Sequence, residues 1–290
     1  MKRREFVKTS AAAAVSTLII PGCTMSKANE EIGLQIYTIR HELEEDLTGT
    51  LKKVSEIGYR KLEGAGYRDG LYFGLPPKEF KNILDDNDLY LISGHVNTGR
   101  KEPDLKGTMT NQFELAIEHA QLMGQKYLVL AYLESFERES IKDYYDLIPL
   151  INRCAEIAKD AGIQFGYHNH DFELEPLDGE LPYDVLLNEL PTELVFMELD
   201  LYWAEYAGVD PIAIFEKDPG RFKLWHVKDM DDTPERGKTE VGNGVIDFDR
   251  IFRVRDRAGL EHFFVEQDDS KRSPLESIEI SYKYVSNLLN

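Results

Sequence analysis

Apolar and polar positions along the chain alternate between two periods. Helical stretches each run into a glycine, two or so polar residues and a short apolar run, as in "VSEIGYRKLEG", "AQLMGQKYLVLAYL", "AKDAGIQFGYH", "EKDPGRFKLWHV" and "RDRAGLEHFFVEQ". Gly58, Gly124, Gly162, Gly220 and Gly259 stand where a helix C-terminus favours a left-handed residue. Together with "IGLQIYTIR", "LYLISGHVN" and "LVFMELDLYW", the pattern predicts eight strands, near Leu34, Leu62, Ile92, Val129, Phe165, Phe196, Leu224 and Phe264. Seven helical segments lie between them, and "PLESIEISYKYVSNLLN" supplies the last.

Eight βα units with apolar strands are what an α/β fold of the (β/α)8 TIM-barrel type requires, since both faces of each strand are covered. An open doubly wound sheet would carry a glycine-rich phosphate loop after its first strand, and "LQIYTIRHEL" has none.

The first 22 residues read differently. "MKRREFVKTS" is basic, "AAAAVSTLII" is too short to span a bilayer, and "PGCTMSK" ends the run at a cysteine. Arg3-Arg4-Glu5-Phe6 resembles a twin-arginine signal and "IIPGC" a lipobox with Cys23 as the lipidated residue, although Pro21 departs from the usual small residue. The expected organisation is a signal peptide over 1–22, a linker over 23–30 and one barrel over 31–290. The protein is then exported, periplasmic or membrane-anchored, and meets the membrane only through a lipid on Cys23. Cys154 is the only other cysteine, so no disulfide framework is expected.

Charge removes one class of partner. With 53 acidic against 34 basic residues and a net charge of -19, the chain lacks the Lys/Arg stripe that phosphate neutralisation needs, so nucleic acid is excluded. A small-molecule partner fits, and so does a homo-oligomer.

Barrel active sites form at the C-terminal ends of the strands. Those ends carry Gln35 and Tyr37, Glu63, His95, Tyr132 and Glu134, His168 with His170, Glu198 with Asp200, His226 with Lys228 and Asp229, and Glu266 with Asp268. His168, Asp200, His226 and Glu266 are separated by 32, 26 and 40 residues, about one βα unit each, so four ligating side chains can converge above the axis. Two imidazoles and two carboxylates suit one divalent Mn, Co, Fe or Zn ion better than Ca or Mg, which prefer oxygen alone.

The motifs "GYHNHDFEL", "MELDLYWAEYAGVDP", "LWHVKDMD", "VGNGVIDF" and "FFVEQDD", in this order, resemble the sugar phosphate isomerase/epimerase group of xylose-isomerase-like barrels, over about Glu31 to Asn290. That group also contains inosose dehydratases, ketose 3-epimerases and 3-keto-glycoside lyases. The resemblance implies a metal held by His168, Asp200, His226 and Glu266. It also shows a departure: ketose 3-epimerases of this kind place a glutamate where this chain has His168, which disfavours a two-base epimerisation and favours elimination.

The expected chemistry is proton abstraction α to a carbonyl on a keto-sugar or 3-keto-glycoside, with β-elimination. Glu266 is the candidate base, and His170, Lys228, Glu173 and Asp229 are candidate acids. Gln35, His95, Glu173, Trp203 and Asp229 are candidate substrate contacts. A sugar isomerase or 3-epimerase acting on free ketoses is the nearer alternative, and a non-catalytic carbohydrate-binding lipoprotein the more distant one. An endonuclease acting on abasic DNA shares the fold but is opposed by acidity and export. "EVGNGVIDF" is expected to form the loop after the seventh strand, with Asp247 capping the next helix.

Overall fold

A computed structural model of the protein describes residues 31–290. The signal peptide, the linker and Cys23 lie outside the described residues. Among those described, no helix is long and apolar enough to cross a membrane.

Eight parallel strands close into a barrel in chain order: β1 (Gly33–Gln35), β2 (Lys61–Gly64), β3 (Tyr90–Val96), β4 (Tyr127–Leu130), β5 (Gln164–His168), β6 (Val195–Asp200), β7 (Leu224–Val227) and β8 (His262–Val265), with β8 pairing back onto β1. All eight predicted strand centres fall inside these strands. The helices are α1 (Arg40–Glu45), α2 (Leu47–Ile57), α3 (Pro77–Asp85), α4 (Phe113–Met123), α5 (Ile141–Asp160), α6 (Pro182–Glu189), α7 (Leu201–Tyr206), α8 (Pro211–Lys217), α9 (Phe248–Phe252), α10 (Arg255–Ala258) and α11 (Pro274–Leu289). Gly124 and Gly259 end α4 and α10 at φ 79° and 84°, as the glycine pattern predicted.

Two local expectations are corrected. The first apolar run forms a strand only as far as Gln35 and then coils into a 3-10 turn over Ile36–Ile39, because the Gln35 side chain accepts a hydrogen bond from the Tyr37 N–H and turns the chain. The stretch predicted as one helix after Asp247 is two, α9 and α10. Two short hairpins, Tyr67–Arg68 with Leu71–Tyr72 and Asp229–Met230 with Lys238–Thr239, decorate the loops after β2 and β7.

Ile92, Tyr127, Val129, Phe196, Leu224 and Phe264 form a buried apolar layer contributed by strands alone. Two residues further along three of these strands come Glu198, His226 and Glu266. The period of two therefore places polar groups directly above an apolar floor.

Candidate active site

Asp200 shows how the fold builds the site. It ends β6 and caps α7: one carboxylate oxygen, Oδ1, accepts from the Trp203 N–H at 3.0 Å, while Asn169 Oδ1 accepts from the Asp200 N–H at 3.1 Å. Its second oxygen, Oδ2, is left facing the barrel axis, 2.9 Å from Lys228 Nζ and 3.9 Å from both His168 Nε2 and His226 Nδ1.

Glu266 Oε2 lies 2.8 Å from His226 Nδ1 and 2.8 Å from Lys228 Nζ. The four residues implied as ligands are thus neighbours, all buried. Ligand atoms of His168, Asp200 and His226 fall within 4.8 Å of one another, and Glu266 joins through His226. Metal bonds of about 2.1 Å place adjacent ligand atoms about 3–3.4 Å apart, close to these separations. Two further observations fit a cation. His168 Nδ1 is buried without a hydrogen bond, and an ammonium, that of Lys228, is drawn in between Asp200 and Glu266. The donor set, imidazole plus carboxylate, suits Mn, Co, Fe or Zn.

A second layer lies deeper. Glu63, His95, Glu198 and His226 bring ligating atoms within 4.8 Å of one another. His226 Nε2 is 2.6 Å from Glu63 Oε2, and His95 Nε2 is 3.3 Å from Glu63 and 3.4 Å from Glu198. Glu63 and Glu198 stood at strand ends in the sequence, but no role was assigned to them. Strand alternation could have found both, since Glu198 shares a face with Asp200, and Glu63 pairs in register with Gln35.

Burial and charge set the protonation of these groups. Burial opposes the charged form of His226 and Lys228, but the carboxylates around them outweigh it and hold both protons tightly. Burial likewise raises Glu266, yet Lys228 and His226 bring it well below the usual carboxylate range. Glu198 is pushed up to about 7 by burial and by Glu63. His95 is lifted to about 9 because Glu63 and Glu198 overcome its desolvation. His168 is held neutral by burial and by His226, and His170 is lowered to about 3 by burial and Lys228.

A cavity of about 520 Å³ opens above the cluster, within the range of about 300–1,000 Å³ usual for small-molecule sites. His95, His168, His170, Trp203, Lys228 and Glu266 line it. Asp200 and His226 sit just beneath. The His170 ring stacks on Phe172 at 5.3 Å and meets Tyr132 edge-on.

Three residues expected to touch substrate do not reach this cavity. Gln35 is fully buried and points at Glu63, donating from Nε2 at 2.8 Å. Glu173 is buried behind β5, where it accepts from the Tyr167 hydroxyl at 2.7 Å and the His170 N–H at 2.8 Å, which also removes it as a candidate acid. Asp229 follows Lys228 and so points to the opposite side, where its carboxylate accepts from the N–H groups of Met230, Gly242, Gly244 and Ile246. It fastens the glycine loop after β7 instead of facing substrate. Asp247 caps α9 as expected, accepting from the Arg250 N–H.

A closed eight-stranded barrel with an imidazole–carboxylate centre at the C-terminal strand ends defines the class of protein. The chain belongs to the Xylose isomerase-like TIM barrel family, whose model matches residues 51–284. Among solved structures it is similar to a sugar phosphate isomerase/epimerase from Parabacteroides distasonis, with a TM-score of 0.78 and 28% identity over 91% of this chain and 96% of that one. It is also similar to inosose dehydratase from Clostridium beijerinckii, 29% identical over 47% of this chain, and to that from Erwinia tasmaniensis, 24% identical over 80% of it. The match spans about half the length (51%) of the Clostridium protein and 87% of the Erwinia one.

Proposed function

We propose that the protein is a divalent-metal-dependent sugar-processing enzyme that eliminates a leaving group β to a ketone, with a 3-keto-glycoside as the substrate class. The observation that carries this reading is the convergence of His168, Asp200, His226 and Glu266 beneath a cavity whose wall carries Lys228 and His170. The relatives named inosose dehydratase, whose reaction is by name the removal of water, support elimination over other outcomes.

A bound divalent cation supplies Lewis-acid polarisation of a carbonyl oxygen and its neighbouring hydroxyl. The protein's groups do the rest. Glu266 is ionised at neutral pH, as a base for the proton next to the carbonyl must be. Lys228 holds its proton firmly among Asp200, Glu266 and Asp268, which makes it a charge-bearing hydrogen-bond donor to a departing oxygen. His170 is uncharged and offers hydrogen bonding without a second positive charge. Trp203 supplies an apolar wall.

Two features support an unphosphorylated glycoside. Each cation lining the cavity is already engaged: Lys228 by three carboxylates, Lys238 by Asp268 at 3.4 Å, and Arg40 by the Tyr37 and Asp268 carbonyls. A second cavity of about 280 Å³ shares Gly66, Tyr67, Asn97 and Tyr132 with the first, which leaves room beside the reacting ring for an aglycone. The leader-like residues before Glu31 agree with a substrate met outside the cytoplasm.

The Parabacteroides neighbour's name favours a second reading, isomerisation or epimerisation of a free ketose. Incubating metal-loaded protein with aryl 3-keto-glucosides and following phenol release separates the two. The proposal expects release that is abolished in Asp200→Ala. Epimerised ketose with no release from any 3-keto-glucoside would overturn it in favour of the second reading.

A further inference from the structure

We infer that Glu63 is a positioning residue that fixes the tautomer and orientation of His226 for metal binding. The inference rests on the reading of His168, Asp200, His226 and Glu266 as a metal centre.

Glu63 touches neither cavity and is fully buried, so it meets no substrate. Its surroundings are saturated with donors. Ser93 Oγ donates to Oε1 at 2.6 Å, Gln35 Nε2 donates to Oε2 at 2.8 Å, and His226 Nε2 lies 2.6 Å from the same oxygen. The Gln35 amide cannot turn over without loss, because its Oε1 already accepts from the Tyr37 N–H at 3.0 Å. A chain of fixed hydrogen bonds therefore runs from the backbone of the 3-10 turn after β1 through Gln35 and Glu63 to His226.

The consequence is chemical. Both ring nitrogens face carboxylates, Nε2 toward Glu63 at 2.6 Å and Nδ1 toward Glu266 at 2.8 Å. A cation bound among Asp200 and Glu266 would take the place of the Nδ1 proton, while the shorter contact to Glu63 keeps the other proton on Nε2, so the lone pair offered to the cation is that of Nδ1. A carboxylate behind a ligating imidazole also raises its basicity toward a cation. The saturation of Glu63 argues against the other use of the deep layer, a second ion held by Glu63, His95, Glu198 and His226, since three donors already occupy the carboxylate oxygens that such an ion would take.

The test is Co(II) titration of the metal-stripped full chain, read by the visible absorption of the bound ion, for the parent protein, Glu63→Gln and Ser93→Ala. Removal of such a supporting carboxylate typically costs about 10–100-fold in metal affinity, and we expect that loss in Glu63→Gln with a shifted absorption spectrum. Ser93→Ala leaves His226 untouched and removes one donor to Glu63, so a smaller loss in the same direction is expected. Unchanged affinity and spectrum in both variants would overturn the inference while leaving the metal centre standing. Two ions per parent chain, one of them lost in Glu63→Gln, would overturn it in favour of Glu63 as a ligand. Failure of the parent protein to bind Co(II) would overturn the metal reading and the inference with it.

Discussion

Lys228 Nζ stands 2.9 Å from Asp200 Oδ2, and both groups are buried at the mouth of the barrel. The same ammonium is 2.8 Å from Glu266, so one cation links two of the carboxylates that would ligate a metal. Removing one partner of a buried ion pair costs about 3–5 kcal/mol, because the remaining charge is left uncompensated. Lys228→Met should therefore lower stability in metal-free buffer and recover more than the parent on addition of Mn or Zn. Its kcat should fall at least about 100-fold, with metal content retained. Thermal melts with and without metal, together with kcat, check both halves; a variant of parental kcat would remove Lys228 from the chemistry.

Asp229 holds the loop from Gly242 to Ile246 through backbone N–H groups at 2.9, 3.0 and 3.2 Å, with a further bond of 2.8 Å from Met230. A Cβ on Gly244 would collide with this carboxylate and with the Met230 carbonyl. Hydrogen bonds to a charged group contribute about 1.5–3 kcal/mol each, and solvent can re-satisfy part of a surface loop. Asp229→Ala should destabilise by about 2–4 kcal/mol in urea unfolding, with KM affected more than kcat. A variant as stable as the parent would mean that the loop is held by other contacts.

Glu173 gives the pH prediction. Burial pushes its carboxyl up to about 7, against the pull of the Tyr167 hydroxyl and backbone N–H groups. A raised folded-state pKa means that the native state binds the proton more tightly than the unfolded chain. The contribution is therefore fully present below the unfolded pKa, about 4.3, and is lost as pH rises through about 7. Glu173→Gln removes this dependence. The stability difference between parent and variant, measured by urea unfolding, should shift against the parent from pH 5 to pH 8; a constant difference would contradict the assignment.

The barrel was legible because its signals repeat: five of the helix-to-strand joints carry a glycine, and the strands are short apolar runs covered on both faces. The short α9 and α10 were not, since "FDRIFRVRDRAG" keeps helical periodicity through the break near Val254. The sequence foresaw which side chains come together where the strand end itself carried the group, as at Asp200, His226 and Glu266. Gln35 and Asp229 lie away from the cavity for one reason. Sequence places a residue at a strand end but does not say whether its side chain rises into the cavity, drops below it or turns outward. Glu63 lies below the ligand layer and Asp229 outside it, and only packing separates those positions from Glu266.

The central claim is that His168, Asp200, His226 and Glu266 hold one divalent transition metal. Elemental analysis of the purified protein and of Asp200→Ala tests it most directly. The account predicts about one Mn, Co, Fe or Zn per chain in the parent and its loss in the variant. No metal in either after reconstitution, or the same content in both, would contradict it.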